Sequence, residues 1–372
     1  MLWIPGPTEV RPEILAECAR PQISHRGKEM DALSARIDPH LRLAFGLAES
    51  SNAQVAVHTC SGTGLMEAAL HGVGPRTLHL VNGAFSKRWH EVALALGKST
   101  TKLEAPLGET VAPEAVERAL AEQGPFDAVT LTVNETATGV RTPLGSLARA
   151  LRAAPDTLFL ADLVSYLGGA PVDFDAHGLD FAFASSQKAL SLPPGVAVCS
   201  ASTRYLDRAR KSKRASFYLD PIRIIDGHRE RATIATPCLP LYFALARQLE
   251  DISAGATLPP SERGRTGADA WSARFAKHVR MQAATVAWAL GHGLALLPVP
   301  ELASPTVSCL RRGALDVEKL TKALAKRGEL ISNGYGELKG HTFRIGHMGD
   351  HDETALARLL VAIDELWPTV LA

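Results

Sequence analysis

The segment Asp180-Phe181-Ala182-Phe183-Ala184-Ser185-Ser186-Gln187-Lys188-Ala189-Leu190 runs from an apolar stretch into small polar residues and then a lone lysine. Pro193-Pro194-Gly195 turns the chain just beyond it. As a buried strand and its following loop, this places one primary amine at the rim of a sheet. An amine desolvated there is held below its solution pKa, and a neutral amine can form a Schiff base with an aldehyde cofactor. Spacing alone fits a second reading better: a surface lysine whose stem lies along apolar neighbours while its ammonium stays in water.

Two further segments carry chemistry. Leu158-Phe159-Leu160-Ala161 ends in Asp162, which puts a carboxylate at the end of another strand. An anion there can hold a protonated pyridine nitrogen, the state in which a pyridine cofactor is the better electron sink. It can also simply cap a turn. Cys60-Ser61-Gly62-Thr63-Gly64-Leu65-Met66-Glu67-Ala68-Ala69-Leu70 follows the run Val55 to His58 and opens a helix. Free N–H groups and the helix dipole at such a turn bind phosphate readily. Ser61 and Thr63 add hydroxyls, and Gly62 and Gly64 let backbone approach a ligand. The segment is neither GxGxxG nor a P-loop, so nucleotide binding is not indicated. A plain strand-to-helix turn with a Ser or Thr cap is the alternative.

The elements that position these residues follow from periodicity. Val55 to Val57, Thr77 to Val81, Ala128 to Thr132, Leu158 to Ala161, Phe181 to Phe183 and Val196 to Val198 read as buried strands. Helical stretches lie between several of them, such as Pro113 to Glu122 with proline in its first turn. Strands separated by helices imply a mainly parallel sheet sandwiched between helices, an α/β fold. In such sheets ligands collect beyond the carboxyl ends of the strands. After about residue 240 the texture changes to a helix over 241–252, a Gly- and Pro-containing loop over 255–267 and a long helix over 268–290. Strand-like runs at Thr306 to Leu310 and Thr342 to Ile345 then flank a helix opened by Asp316 and closed by Gly328. This reads as a smaller α+β unit.

Composition narrows the class. The chain has 372 residues, 46% hydrophobic and 21% charged, with a formal net charge of +1. That is an ordinary soluble mixture with no global field for nucleic acid or a membrane surface. The basic run Arg204 to Arg214 reads as the solvated face of a helix. Five scattered cysteines (Cys18, Cys60, Cys199, Cys238 and Cys309) form no CxxC pair, which fits a reducing compartment and argues against a disulfide framework or a structural metal. The first residues lack the features of a signal peptide, and no apolar run approaches the about 20 residues that span a bilayer. A cytoplasmic protein is expected.

Several short stretches together resemble the class V aminotransferases of pyridoxal 5'-phosphate (PLP) fold type I, in the branch of alanine–glyoxylate and serine–pyruvate aminotransferases. They are Pro5-Gly6-Pro7-Thr8, Ser24-His25-Arg26, Ser61-Gly62-Thr63, Met66-Glu67-Ala68-Ala69, Asn82-Gly83-Ala84-Phe85, Asn134 to Val140, Asp162 to Gly169, Ser186-Gln187-Lys188, Pro193-Pro194-Gly195 and Phe343 to His347. They keep the family's order over nearly the whole chain. The resemblance implies an N-terminal segment (1–15) at the active site, a large cofactor-binding domain (16–250) and a small C-terminal domain (251–372). Lys188 would be the Schiff-base lysine and proton shuttle, and Asp162 the partner of the pyridinium nitrogen. Val164 and Phe85 would cover the ring's two faces, with Phe85 standing where relatives often carry Trp. Ser61, Gly62, Thr63 and Gln187 would bind phosphate, and Thr136 would lie near the ring's 3'-oxygen. Arg344 would clamp the substrate α-carboxylate, and Thr236 would complete the phosphate site of a second subunit in a homodimer with shared sites.

The same resemblance implies small amino and 2-oxo acids as substrates: alanine or serine as donor, glyoxylate or pyruvate as acceptor. Ser24-His25-Arg26-Gly27-Lys28-Glu29 is also similar to a segment of phosphoserine aminotransferases, where His and Arg meet the substrate phosphate, so His25 and Arg26 are candidate substrate ligands and phosphoserine the alternative donor. A cysteine desulfurase-like lyase is the third reading. It needs a cysteine on a mobile loop, and none of the five has that setting. No metal, nucleic acid or membrane partner is implied.

Overall fold

A computed structural model describes residues 1–371. Its strands in chain order are β1 (Gln54–His58), β2 (Arg76–Val81), β3 (Ser99–Glu104), β4 (Ala128–Thr132), β5 (Asn134–Glu135), β6 (Val140–Arg141), β7 (Leu158–Asp162), β8 (Phe181–Ser185), β9 (Ala197–Ala201), β10 (Ser308–Arg311), β11 (Ser332–Asn333) and β12 (Thr342–Ile345). Seven form one sheet in the order β1-β9-β8-β7-β4-β2-β3. Strands β3, β2, β4, β7 and β8 pair in parallel, while β9 runs against both β8 and β1.

Alternation along each strand builds two cores, one on each sheet face. Val55, Val57, Leu78, Leu80, Val129, Leu131, Phe159 and Ala161 pack with helices that include Lys28–Phe45, Pro113–Gln123 and Leu239–Ser253. Their neighbours Ala56, Ala128, Leu158, Leu160, Phe181 and Phe183 pack with helices that include Gly62–His71, Ala84–Ala95 and Thr203–Lys211. Both faces are covered, so the central strands are buried and mainly apolar; the buried Thr77, His79 and Thr130 of β2 and β4 are paired with one another by hydrogen bonds.

Three features depart from the expectations. Strand β3 lacks an apolar run because it lies at the sheet edge; Thr100 and Thr101 are only partly buried there and Lys102 is exposed. Strand β9 is antiparallel, so the connection carrying Lys188 is a folded loop rather than a helical crossover. Ser186 closes that loop: its N–H donates to Val196 O at 3.0 Å and its hydroxyl to Pro193 O at 2.7 Å. The basic run after β9 is helical, but it is tied down rather than merely solvated. Arg204 pairs with Asp180, Arg210 with Asp226 at 2.7 Å and Arg214 with Asp220 at 2.9 Å.

A second, three-stranded sheet has the order β10-β12-β11. It shares an apolar cluster with the helices Gly267–Gly291, Val317–Lys326 and Glu353–Leu366. The Asp316 carboxylate caps Val317–Lys326 by accepting from Lys319 N at 3.0 Å. Gly328, at φ +78°, follows that helix. The N-terminal arm joins this sheet to the large one. Trp3 exchanges backbone bonds with Leu330 and Gly346 and stacks on His351, 4.0 Å between ring centroids. Thr8 then bonds to the backbone of Gln187 and Lys188.

One buried carboxylate locks two distant segments together. Glu135, on the β5–β6 ribbon, accepts from Phe85 N, Ser86 N and Ser86 Oγ, each at 3.0 Å, so it caps the helix Ala84–Ala95 from outside that helix. Its other oxygen accepts from Ala137 N at 3.1 Å. Gly83 makes room, since a Cβ there would lie 2.4 Å from Glu135 Cγ. Glu135→Ala strands these buried donors and is expected to lower the unfolding free energy by about 2 to 4 kcal/mol, with a smaller loss for Glu135→Gln. Urea titration of the three proteins measures this; equal midpoints would remove Glu135 as the lock.

Candidate active site

At the carboxyl edge of the parallel strands lies a cavity of about 210 Å³. Ser61, Gly62 and Thr63 reach it from the start of the helix after β1, and Phe85 and Arg88 from the helix after β2. Asn134 and Thr136 come from the ribbon after β4, Asp162, Val164 and Ser165 from the end of β7 and its loop, and Ser185, Gln187 and Lys188 from the end of β8. Nine expected residues therefore line one space: Ser61, Gly62, Thr63, Phe85, Thr136, Asp162, Val164, Gln187 and Lys188.

Lys188 is buried, which excludes the surface-lysine reading. Its Nζ donates to the carbonyl of Pro5 in the N-terminal arm and stands 6.0 Å from the Phe85 ring centroid. Gly6, at φ +103°, has to be glycine here, because a Cβ would sit 2.6 Å from Lys188 Nζ. Burial, with help from the positive charge of Arg344, pushes the amine down to about 8. Asp162 moves the other way. Burial and the nearby Glu135 raise its carboxyl to about 7, against the hydrogen bond it accepts from Val164 N at 2.7 Å. Burial thus drives both groups toward their neutral forms.

The helix start is shaped for an anion. Ser61 caps it and Gly62 lets it approach the loop after β7, since a Cβ there would lie 2.8 Å from Val164 Cγ2. Ser185 Oγ, which also lines the cavity, is buried and has no hydrogen-bond partner among the described residues. Thr136 Oγ1 and Ser165 Oγ are 2.7 Å apart, and Asn134 Nδ2 donates to Ser165 Oγ at 2.8 Å.

Arg344, on β12, adjoins this group. It is buried and donates only to backbone carbonyls, to Thr136 O and to Asn333 O, each at 3.2 Å. Among the described residues no carboxylate lies within ion-pair distance of it. Arg88 was not anticipated from the sequence. Its guanidinium lies 5.0 Å from the Phe85 ring centroid and 3.4 Å from Tyr335 Oη, and it too has no carboxylate partner among the described residues. Only a helical offset from Phe85 could have pointed to it.

Four expected residues do not line this cavity: Arg344, which adjoins it, and His25, Arg26 and Thr236, which lie farther away. His25 and Arg26 sit in the turn before the helix Lys28–Phe45. Thr236 is exposed beside a separate groove lined by His58, Tyr218 and Pro237. The cysteines also lie elsewhere. Cys60 stands just past β1 and its thiol is pushed up to about 12 by burial, while Cys199 lies within β9 rather than at a strand end.

The Aminotransferase class-V family model matches residues 53–237. The L-aspartate–glyoxylate aminotransferase of Paracoccus denitrificans is 32% identical, with 97% of this chain and 89% of that protein covered. The chain belongs to the class-V aminotransferases. The serine–glyoxylate aminotransferase of Methylorubrum extorquens is 30% identical over 95% of the chain and 88% of its own length. A Synechococcus protein named soluble hydrogenase, small subunit, is 32% identical over 98% of the chain and 92% of its own length. Among solved structures, an aspartate aminotransferase of subgroup IV from Thermus thermophilus superposes with a TM-score of 0.87 at 31% identity, covering 100% of this chain and 99% of that one. The enzyme thus has the fold type I architecture, and the cavity lies at the carboxyl ends of its parallel strands, where ligands collect in such sheets. Among the described residues no three His, Cys, Asp or Glu side chains gather to hold a metal, and no helix is long and apolar enough to cross a membrane.

The raised Asp162 carboxyl has a measurable consequence. Its folded pKa of about 7 exceeds the usual 3.8, so the folded state keeps a proton that the unfolded state has lost. Stability of the cofactor-free enzyme therefore falls as pH rises from about 4 to about 7. Asp162→Asn removes this penalty. At pH 8 the cofactor-free variant is expected to be more stable than the parent by at most about 4 kcal/mol, with the gap closing toward pH 4. Urea unfolding across that range checks the sign; a variant less stable at pH 8 would reverse it.

Proposed function

We propose that this enzyme transfers an amino group from a small α-amino acid, alanine or serine, to glyoxylate or pyruvate, with pyridoxal 5'-phosphate held in the cavity around Lys188. One observation carries the proposal: a single space holds a buried amine with a depressed pKa, a buried carboxyl with no cation of its own and an open helix start. An aldehyde carbon, a pyridine nitrogen and a phosphate match these three in kind. The unpartnered Ser185 hydroxyl supports the fit, since a buried polar atom without a partner is unfavourable unless a ligand supplies one.

When bound, the cofactor supplies an aldehyde to capture the amine and a ring that accepts electrons from the substrate α-carbon. The chain's residues do the rest. Asp162 ionises against the ring nitrogen and so regains the charge that burial denies it. Ser61, Gly62, Thr63 and Gln187 hold the phosphate, while Val164 and Phe85 confine the ring. Arg344 presents a planar pair of donors to the substrate α-carboxylate, and its lack of a protein carboxylate leaves that role open. Lys188, its amine held down at about 8, would be the base that takes the proton from the substrate α-carbon and returns it to the carbon of the cofactor's former aldehyde.

A second donor class has an observation in its favour. Arg88 adds another guanidinium without a protein carboxylate, which suits a donor with two acid groups such as aspartate. Phosphoserine has less support, because His25 and Arg26 do not line the cavity within one chain. The lyase reading has none, because no cysteine lines it. We also infer a homodimer. Thr236 lies away from its own chain's cavity, and Phe217 and Tyr218 nearby leave apolar surface exposed. A reducing, cytoplasmic setting fits the five free cysteines.

A panel of single donors tests the assignment. Alanine or serine alone should convert the bound cofactor's absorption to that of its amine form, and glyoxylate or pyruvate should restore it. Conversion by aspartate alone would move the donor assignment to the acidic class. Arg344→Ala is expected to raise KM for every donor by about 10- to 100-fold; unchanged kinetics would remove its carboxylate role. The rate of cofactor capture by the cofactor-free enzyme should rise as pH passes through about 8 rather than 10.5, and Lys188→Ala should abolish capture.

A further inference from the structure

The cavity depends on two loops that come from different strand ends. The loop after β7 carries Asp162 and Val164, and the loop between β8 and β9 carries Lys188. One side chain joins them. Arg274, on the helix Gly267–Gly291, has no exposed surface. Its Nε donates to the carbonyl of Gly168 at 3.0 Å, in the first loop. One terminal nitrogen donates at 2.8 Å to the carbonyl of Ala189, the residue after Lys188. The other pairs with Asp350 at 2.8 Å.

Asp350 anchors this guanidinium. It also accepts from Arg11 Nε at 2.7 Å and from Gln248 Nε2 at 3.0 Å. The surrounding cations hold its carboxyl down at about 2, so it stays charged at any working pH. The two loops meet closely at the Arg274 contact. A Cβ on Gly168 would lie 3.3 Å from Ala189 O, and one on Gly169 would lie 3.3 Å from Ala189 Cβ. Burying a guanidinium is costly, and a packed apolar side chain is often as stabilising at such a place. Neutralising Asp350 does not require it either, since Arg11 already pairs with that carboxylate. What Arg274 adds is a rigid planar fork that reaches two carbonyls and one carboxylate in fixed directions, which a lysine ammonium cannot reproduce.

We infer that Arg274 is a positioning residue: it fixes the Lys188 loop against the Asp162 loop and thereby sets the place of the reacting amine relative to the carboxyl. The inference rests on the reading of Lys188 as the cofactor-binding lysine. It goes beyond that reading by giving a role to a residue that touches neither cofactor nor substrate. A proton carried by one base from one carbon to another is sensitive to displacement of that base, and errors on the order of 1 Å cost about 100-fold in rate.

The test compares the parent with Arg274→Gln, Arg274→Lys and Arg11→Gln. Arg11→Gln disturbs the same Asp350 network without touching the carbonyls of Gly168 or Ala189. Three quantities are measured: hydrogen exchange of segment 186–196 with and without cofactor, the pH midpoint of the bound cofactor's visible absorbance, and kcat and KM for alanine. Arg274→Gln should speed exchange of the segment by about tenfold or more, shift the midpoint by about one pH unit and lower kcat by about 10- to 100-fold, with KM within about twofold. Arg274→Lys should recover part of each change, and it serves alone if the glutamine variant does not fold. Arg11→Gln should lower stability but leave exchange and midpoint at parental values. A purely structural role would lower the melting temperature of all three and leave exchange, midpoint and kcat per bound cofactor as in the parent; that result overturns the inference. If the parent binds the cofactor but turns over neither alanine nor serine, the donor assignment fails while exchange and midpoint still decide the role of Arg274.

Discussion

The structure is organised around the desolvation of two ionisable groups in one cavity. Lys188 and Asp162 are both buried, and burial drives each toward neutrality, the amine down to about 8 and the carboxyl up to about 7. Each keeps a hydrogen bond, Lys188 to the Pro5 carbonyl and Asp162 from Val164 N, but a charged form buried here is unfavourable without an opposite charge beside it. A ligand that supplies a cation to Asp162 and a carbonyl carbon to Lys188 relieves both at once. Two opposed shifts of this kind in one cavity are a combination often found at catalytic centres.

Such a cavity survives only if its walls are held by more than packing. Loops at strand ends carry backbone N–H and C=O groups that need partners. Here the partners come from far along the chain. Glu135 caps the helix bearing Phe85 and Arg88, Arg274 bridges the loops of Asp162 and Lys188, and Arg344 spans the carbonyls of Thr136 and Asn333. The N-terminal arm adds Pro5 O to the amine and Thr8 to the backbone of Gln187 and Lys188. Most of these are charged or backbone groups acting over a long sequence separation in a space of low polarisability, where such bonds are strong and their loss is costly.

Much of this was legible along the chain. Central strands covered on both faces announce themselves as short, mainly apolar runs, so β2, β4, β7 and β8 could be read directly, and the residues just past them were candidates because strand ends are where such sheets bind ligands. Strand β3 was not legible, since an edge strand covered on one side mixes threonine and lysine with its apolar residues. The β5–β6 ribbon is too short to show alternation. The reversal of β9 left no mark either, because a strand buried on both faces reads the same in either direction.

By itself, then, the order of residues determined the type of sheet, the chemical kinds gathered at its edge and the family to which they belong, because apolar periodicity and short motifs are local properties. Tertiary structure decided which of those kinds meet. Spacing favoured a solvated Lys188, and only the arm, Phe85 and the burial around them made it a buried amine. The placement of Arg88 and Arg274 was decided in the same way, as was the absence of His25, Arg26 and Thr236 from the cavity of their own chain. Desolvation and ion pairing depend on distance through space, and no pattern along one strand or helix encodes that distance.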